Sequence, residues 1–175
     1  MGGKENLESQ VGDVSLNRIK GNSLLDIACG GLGSGCNPAF RVGRSIFLFD
    51  STFDSDSEGI FTMLHEIGHI FGKNKTNQFH DEFWEGCNLS IGGKCLTPGK
   101  PIGKVATDHS LSNPSEDFSD TFAMTIWSEN FDILTNTLDG SLMSSGPSNK
   151  KYPPYYVNMP SPERIQYMKN LLKPQ

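Results

Sequence analysis

Apolar residues recur at helical spacing in separate stretches of the chain. Ile60, Leu64, Ile67 and Phe71 fall on one helix face, flanked by Met63 and Ile70. Asp54-Ser55-Asp56-Ser57 offers N-cap residues, and Glu58 puts negative charge in the first turn, where the helix dipole favours it. Gly72 and the polar run Lys73–Asn77 end the stretch. A second helix opens at Asn113-Pro114, an N-cap followed by proline at the first helical position. Phe118, Phe122, Ile126 and Trp127 form its apolar stripe. Ser161-Pro162-Glu163 starts a C-terminal helix to Lys173, with Ile165, Met168, Leu171 and Leu172 on its buried side.

The strand signals are weaker. Arg44–Phe49 is the best of them, a run rich in aromatic and aliphatic residues. It precedes the first helix, where it is expected to border a cleft and to pair with an extended ligand. Leu24–Ala28 is a second, shorter candidate. Residues 1–22 read as a weak helix or an extended lead-in, and 73–112 mostly as loop, with a short helix around Asp81–Trp84. Residues 139–160, rich in Ser, Gly and Pro, read as irregular.

Composition narrows the picture. With 175 residues, residues 1–175 are expected to form a single domain able to bury a real core. Apolar residues make up only 35%, with 19 Gly and 10 Pro, which implies much irregular structure around a few helices. The net charge of −5 is modest and unclustered, so neither nucleic acid nor a membrane surface is an expected partner. No apolar run is long enough to span a bilayer, and Met1–Gln10 is too polar for a signal peptide. The Gly30–Gly35 stretch lacks the G-K-[ST] ending of a phosphate-binding loop. Cys29 and Cys36, and Cys87 and Cys95, each flank a Gly-containing loop without the C-x2-C spacing of a zinc knuckle. Local disulfides Cys29–Cys36 and Cys87–Cys95 are the simplest pairing, and they imply a secreted or extracytoplasmic location. The alternative is reduced cysteines in a cytosolic protein.

The chemistry lies in His65-Glu66-Ile67-Gly68-His69, an H-E-x-x-H motif. Imidazoles at this spacing on a helix share one face, about 5–6 Å apart at Cβ, and can reach one zinc ion. Glu66 projects beside the metal without ligating it, placed to take a proton from a water held there. A catalytic zinc needs a third protein ligand and an open position. Glu116 is one candidate, with Asp120 a turn further along the same face to accept a hydrogen bond from a ligand imidazole. A metzincin arrangement, H-E-x-x-H-x-x-G-x-x-H, is another; it matches through Gly72 but puts Lys75 where the third His belongs. His80, beyond the helix, is the remaining candidate.

His65–His69 with Glu116-x-x-x-Asp120 resembles the gluzincins, the thermolysin-type clan of zinc peptidases. Asn113-Pro114-Ser115-Glu116-Asp117-Phe118-Ser119-Asp120-Thr121-Phe122-Ala123 is similar to the glutamate helix of the anthrax lethal-factor-like peptidases. The resemblance covers residues 57–72 and 109–128. It implies an α+β zincin-like fold: a small sheet, an H-E-x-x-H helix, a glutamate helix and a C-terminal helix. It also implies a zinc endopeptidase acting on peptide or protein substrates, with His65, His69 and Glu116 holding Zn2+ and Glu66 as general base; a monomer is expected, though nothing in the sequence sets the oligomeric state. Seven residues before the glutamate, where that family often carries a tyrosine aimed at the reacting oxygen, this chain has His109. The resemblance therefore implies that His109 stabilises the oxyanion. An inert zinc-stabilised binding or toxin module and a metzincin-like peptidase are the alternatives; intact Glu66 argues against the first.

Overall fold

The computed structural model describes residues 11–20, 39–53, 56–90, 94–130 and 159–173. Strands β1 (Ser15–Ile19), β2 (Ala39–Val42) and β3 (Ser45–Phe49) form one sheet in the order β1-β3-β2. β1 runs parallel to β3, in register from Ser15 opposite Ser45 to Ile19 opposite Phe49. β2 pairs antiparallel through the short turn at Gly43, whose φ of 62° lies in the left-handed region that glycine enters without steric cost. Alternation sorts the side chains. Ala39, Ile46 and Leu48 are buried on one face, with Ile67 and Ile70 of the following helix packed against them. Phe40 and Phe47 stack on the other face at 4.8 Å.

β3 is thus the strand expected at Arg44–Phe49, but it is central. Both of its edges are hydrogen-bonded to neighbours, so it cannot also pair with a ligand. β1 lies within the expected lead-in. β2 carries no sequence signal strong enough to be read alone, being only four residues long with an arginine among them. The strand expected at Leu24–Ala28 and the disulfide expected at Cys29–Cys36 lie outside the described residues.

Helix α1 (Asp56–Gly72) follows the sheet and carries the apolar stripe as expected. After a short turn, α2 (Thr76–Phe83) begins earlier than the helix expected near Asp81–Trp84. The polar run after Gly72 hides its start. The turn is held by the Lys75 amide and the Thr76 hydroxyl, which both donate to the Gly72 carbonyl, at 2.8 and 3.0 Å. An eight-residue helix is marginal alone, and burial of Phe79 and Phe83 makes up the deficit. The short strands β4 (Trp84–Glu85) and β5 (Lys100–Pro101) pair antiparallel and enclose the loop bridged by Cys87–Cys95, the disulfide expected there.

Helix α3 (Pro114–Asn130) packs along α1, and α4 (Pro162–Leu172) closes the far side. Phe71, Phe79, Phe83, Trp84, Phe118, Phe122 and Met168 make the main core. A second cluster joins Phe61 of α1 to Ala123, Met124 and Trp127 of α3. The architecture is an α+β fold with a small mixed sheet, an H-E-x-x-H helix, a glutamate-bearing helix and a C-terminal helix. Among the described residues no helix is long and apolar enough to cross a membrane.

Candidate metal centre

α1 presents His65 and His69 from successive turns, with their rings edge-on at 4.6 Å between centroids. The first turn of α3 faces them. Asn113 Oδ1 accepts the backbone N–H groups of Ser115 (3.0 Å) and Glu116 (3.2 Å), the capping expected of Asn before Pro. That cap fixes the backbone from which Glu116 reaches α1. Its Oε2 lies 3.1 Å from Nε2 of His65 and 3.1 Å from Nε2 of His69. One donor atom from each residue falls within 4.8 Å of the others.

These spacings test the fit of a metal. Donors about 2.0–2.1 Å from a tetrahedral zinc stand about 3.3–3.4 Å from one another. Two imidazole nitrogens converging on one carboxylate oxygen at nearly that separation form a cluster suited to a divalent metal such as Zn2+.

The outer nitrogens of both rings are occupied. His65 Nδ1 lies 2.7 Å from Asp120 Oδ1, and His69 Nδ1 lies 3.1 Å from Ser115 Oγ. A ring that offers Nε2 to a metal carries its proton on Nδ1, so His65 donates to Asp120 and His69 to Ser115. α3 therefore supplies a carboxylate at the centre and both groups that orient the imidazoles.

The charges are interlocked. Burial pushes Glu116 up, but the hydrogen bonds and charges of His65 and His69 outweigh it and hold the carboxyl well below its usual range. Burial likewise opposes ionisation of Asp120, yet His65 and the Thr107 hydroxyl keep it lowered. For His65 burial works downward, while the charge and hydrogen bond of Asp120, joined by Glu116, lift it to about 10.

Glu66 is buried, at 8% exposure, one residue along α1 from His65. His109 sits on a 3-10 turn (His109–Leu111) just ahead of α3, half-buried, its ring 5.5 Å from that of His65. Its Nδ1 is 3.6 Å from Glu116 Oε2. A second group, His65, His109 and Asp120, also has donors within 4.8 Å. In it the Nδ1 of His65 is already committed to Asp120.

The other candidate ligands are elsewhere. His80 turns its Nε2 to the Cys87 carbonyl at 2.8 Å and its Nδ1 to Asp81 at 2.9 Å, so it braces the disulfide loop. Lys75 donates to the Phe71 carbonyl at 3.1 Å. His80 belongs to no metal-capable group among the described residues, and Lys75 stands where the metzincin pattern would need its third His. Ser115, Thr107 and Ser110 also meet the site, and no motif in the sequence marks them. Ser115 could have been found from its place directly before Glu116, on the turn that faces His69. The other two, hydroxyls flanking His109, carried no periodic signal.

The chain matches no protein-family model, no curated protein and no solved structure. The class therefore rests on the site itself. This is a zincin-like metal site, consistent with a metalloendopeptidase fold and with zinc-dependent hydrolysis using a glutamate general base.

Proposed function

We propose that the protein is a gluzincin-type zinc endopeptidase, similar to the anthrax lethal-factor-like peptidases. Residues 1–175 act as one catalytic domain outside the cytoplasm, on peptide or protein substrates. The observation that carries this reading is the convergence of His65 Nε2 and His69 Nε2 on Glu116 Oε2, each at 3.1 Å. The Cys87–Cys95 bridge supports an oxidising compartment.

His65, His69 and Glu116 hold the zinc. When bound, zinc would supply a water whose pKa is lowered to about 7, and polarisation of the scissile carbonyl. Glu66 takes a proton from the attacking water as the C–O bond forms, then delivers it to the leaving nitrogen as the C–N bond breaks. His109 donates a ring N–H to the oxygen on which negative charge develops. Asp120 and Ser115 keep the two ligand rings in the tautomer that offers Nε2. The outer edge of β2, which has no partner strand among the described residues, is where an extended substrate adds to the sheet. Ala39 of that strand belongs to the cluster against which Ile67 and Ile70, neighbours of His69 on α1, are packed.

Cleavage of a random peptide library by the purified protein tests the reading. We expect internal cleavage that a chelator abolishes and zinc restores. An inert protein that nevertheless binds zinc at this site would instead be a binding module.

A further inference from the structure

Two hydroxyl side chains that no part of the mechanism uses are buried beside His109. Thr107 and Ser110 are 2% and 0% exposed, and Asp120, which they meet, is 2% exposed. Thr107 Oγ1 donates to Asp120 Oδ2 at 2.5 Å, and Ser110 Oγ donates to the same oxygen at 2.8 Å. The Ser110 amide donates back to Thr107 Oγ1 at 3.1 Å, and the Thr107 amide to Ser110 Oγ at 3.2 Å.

A proton inventory closes this ring. Each hydroxyl has one proton to give, and each gives it to the carboxylate. Each hydroxyl oxygen then accepts one amide, so the 3.3 Å approach of the two Oγ atoms needs no proton of its own. The other carboxylate oxygen, Oδ1, accepts from His65 Nδ1 at 2.7 Å. Asp120 is thus divided between tasks: one oxygen orients a ligand imidazole, and the other grips the two residues that bracket His109. A loop that only needed closing could do so with backbone turns at the surface. Here buried hydroxyls are spent on the carboxylate that also sets His65, and the side chain held out between them points at Glu116.

We infer that Thr107 and Ser110 are positioning residues: a hydroxyl clasp on Asp120 that holds the His109 ring over the metal centre. One carboxylate thereby fixes both a metal ligand and the oxyanion donor relative to each other. The inference rests on the proposed peptidase reading for its kinetic consequence, but not for its geometry.

Thr107→Val removes one hydroxyl at nearly constant shape, and Thr107→Ser keeps it. In zinc-loaded Thr107→Val, kcat should fall about 10–100-fold, the scale expected when a reacting group is misplaced by about 1 Å. KM and zinc affinity should stay near wild type, and a peptide phosphonate that mimics the tetrahedral intermediate should bind more weakly by a similar factor. Thr107→Ser should recover most of the activity. In a His109→Ala background, adding Thr107→Val should change kcat little, because the group it positions is gone. Histidine side-chain NMR of zinc-loaded protein provides a readout independent of turnover. The His109 ring signals should move in Thr107→Val, while those of His65 and His69 stay in place. Loss of zinc affinity in step with kcat, additive effects with His109→Ala, or unmoved His109 signals would each overturn the clasp. A wild-type protein that cleaves no peptide, yet shows the His109 shift in Thr107→Val, would overturn the peptidase reading and leave the clasp standing.

Discussion

Arg164 of α4 donates from Nη1 to Oδ2 of Asp117 at 2.6 Å, and both side chains are fully buried. Asp117 immediately follows Glu116, so this pair ties the turn bearing the candidate ligand to the C-terminal helix. Arg164 Nη2 also donates to the carbonyls of Phe83 (3.1 Å) and Ile102 (2.9 Å), and the guanidinium lies over the Phe83 ring at 4.8 Å. Trp84 Nε1 donates to the same Asp117 oxygen at 2.7 Å. Burial nevertheless pushes Asp117 up to about 6, against the pull of the Arg164 charge. The nearby Asp120 charge adds to that push, so the pairing with Arg164 works against the hydration that both groups lose on burial.

That balance predicts an asymmetry. Arg164→Ala leaves a buried carboxylate without its cation and should cost about 3–5 kcal/mol in denaturant unfolding. The double variant Arg164→Met, Asp117→Leu removes both charges and should cost clearly less than Arg164→Ala alone. If the double variant is the less stable of the two, the pair is a net stabiliser and desolvation does not decide its energetics.

Glu66→Gln should retain zinc and lose turnover by about 10²–10⁴-fold, since it removes a base and no ligand. Glu116→Ala should instead lower zinc affinity, because it takes away the oxygen on which His65 and His69 converge. Metal analysis beside an activity assay separates the two. Near-wild-type cleavage by Glu66→Gln would remove glutamate from the base role, and normal zinc binding by Glu116→Ala would remove it from the ligand set.

The parts of this site that were legible in the sequence are those governed by local rules. The spacing of His65 and His69, the stripe from Ile60 to Phe71 and the Asn113-Pro114 start of α3 are each set within a few residues of chain. Short-range disulfide pairing at Cys87–Cys95 is equally local. What stayed hidden depends on distant partners. Arg164 carries a charge, which is buried only when paired, and its partner Asp117 lies 47 residues away, beyond the reach of any local pattern. β3 reads clearly as a strand, but its central place depends on β1 and β2, whose own patterns are weak. Thr107 and Ser110 acquire meaning only when α3 brings Asp120 against their loop.

Gly68 lies between the two ligand histidines and touches α3. A Cβ at that position would stand 2.9 Å from Ser119 Cα and 3.1 Å from its carbonyl oxygen, backbone atoms that cannot swing aside. Gly68→Ala should therefore push α1 from α3, at a cost of about 1–3 kcal/mol for overpacking. The same displacement carries His69 away from Glu116, so zinc affinity should fall as well. Zinc titration and thermal unfolding of the variant check both. Unchanged zinc affinity would mean that the helices separate without disturbing the ligand set. At Gly72 the obstruction is the Phe118 ring, at 2.7 Å, so Gly72→Ala should cost stability with a smaller effect on zinc.

The protonation of His65 predicts how the metal-free protein responds to pH. Its pKa rises from 6.5 to about 10 on folding, because Asp120 and Glu116 together outweigh the burial that would lower it. A pKa raised in the folded state contributes stability that is whole below pH 6.5. That contribution is lost as the pH climbs toward about 10. Chelated protein should accordingly melt at progressively lower temperature across that window. Asp120→Asn, which removes the charge holding the proton, should flatten the slope. Zinc requires Nε2 of His65 unprotonated, while Nδ1 keeps its proton for Asp120, so its apparent affinity should rise with pH over the same range, by up to about tenfold per unit for the one proton displaced. Zinc-saturated protein should then lack the alkaline loss, since it no longer carries the proton whose release causes it. Thermal unfolding from pH 6 to 10, with chelator and with zinc, reads both effects at once. Parallel profiles in the two conditions would show that metal and proton do not compete at His65, and would remove it from the ligand set.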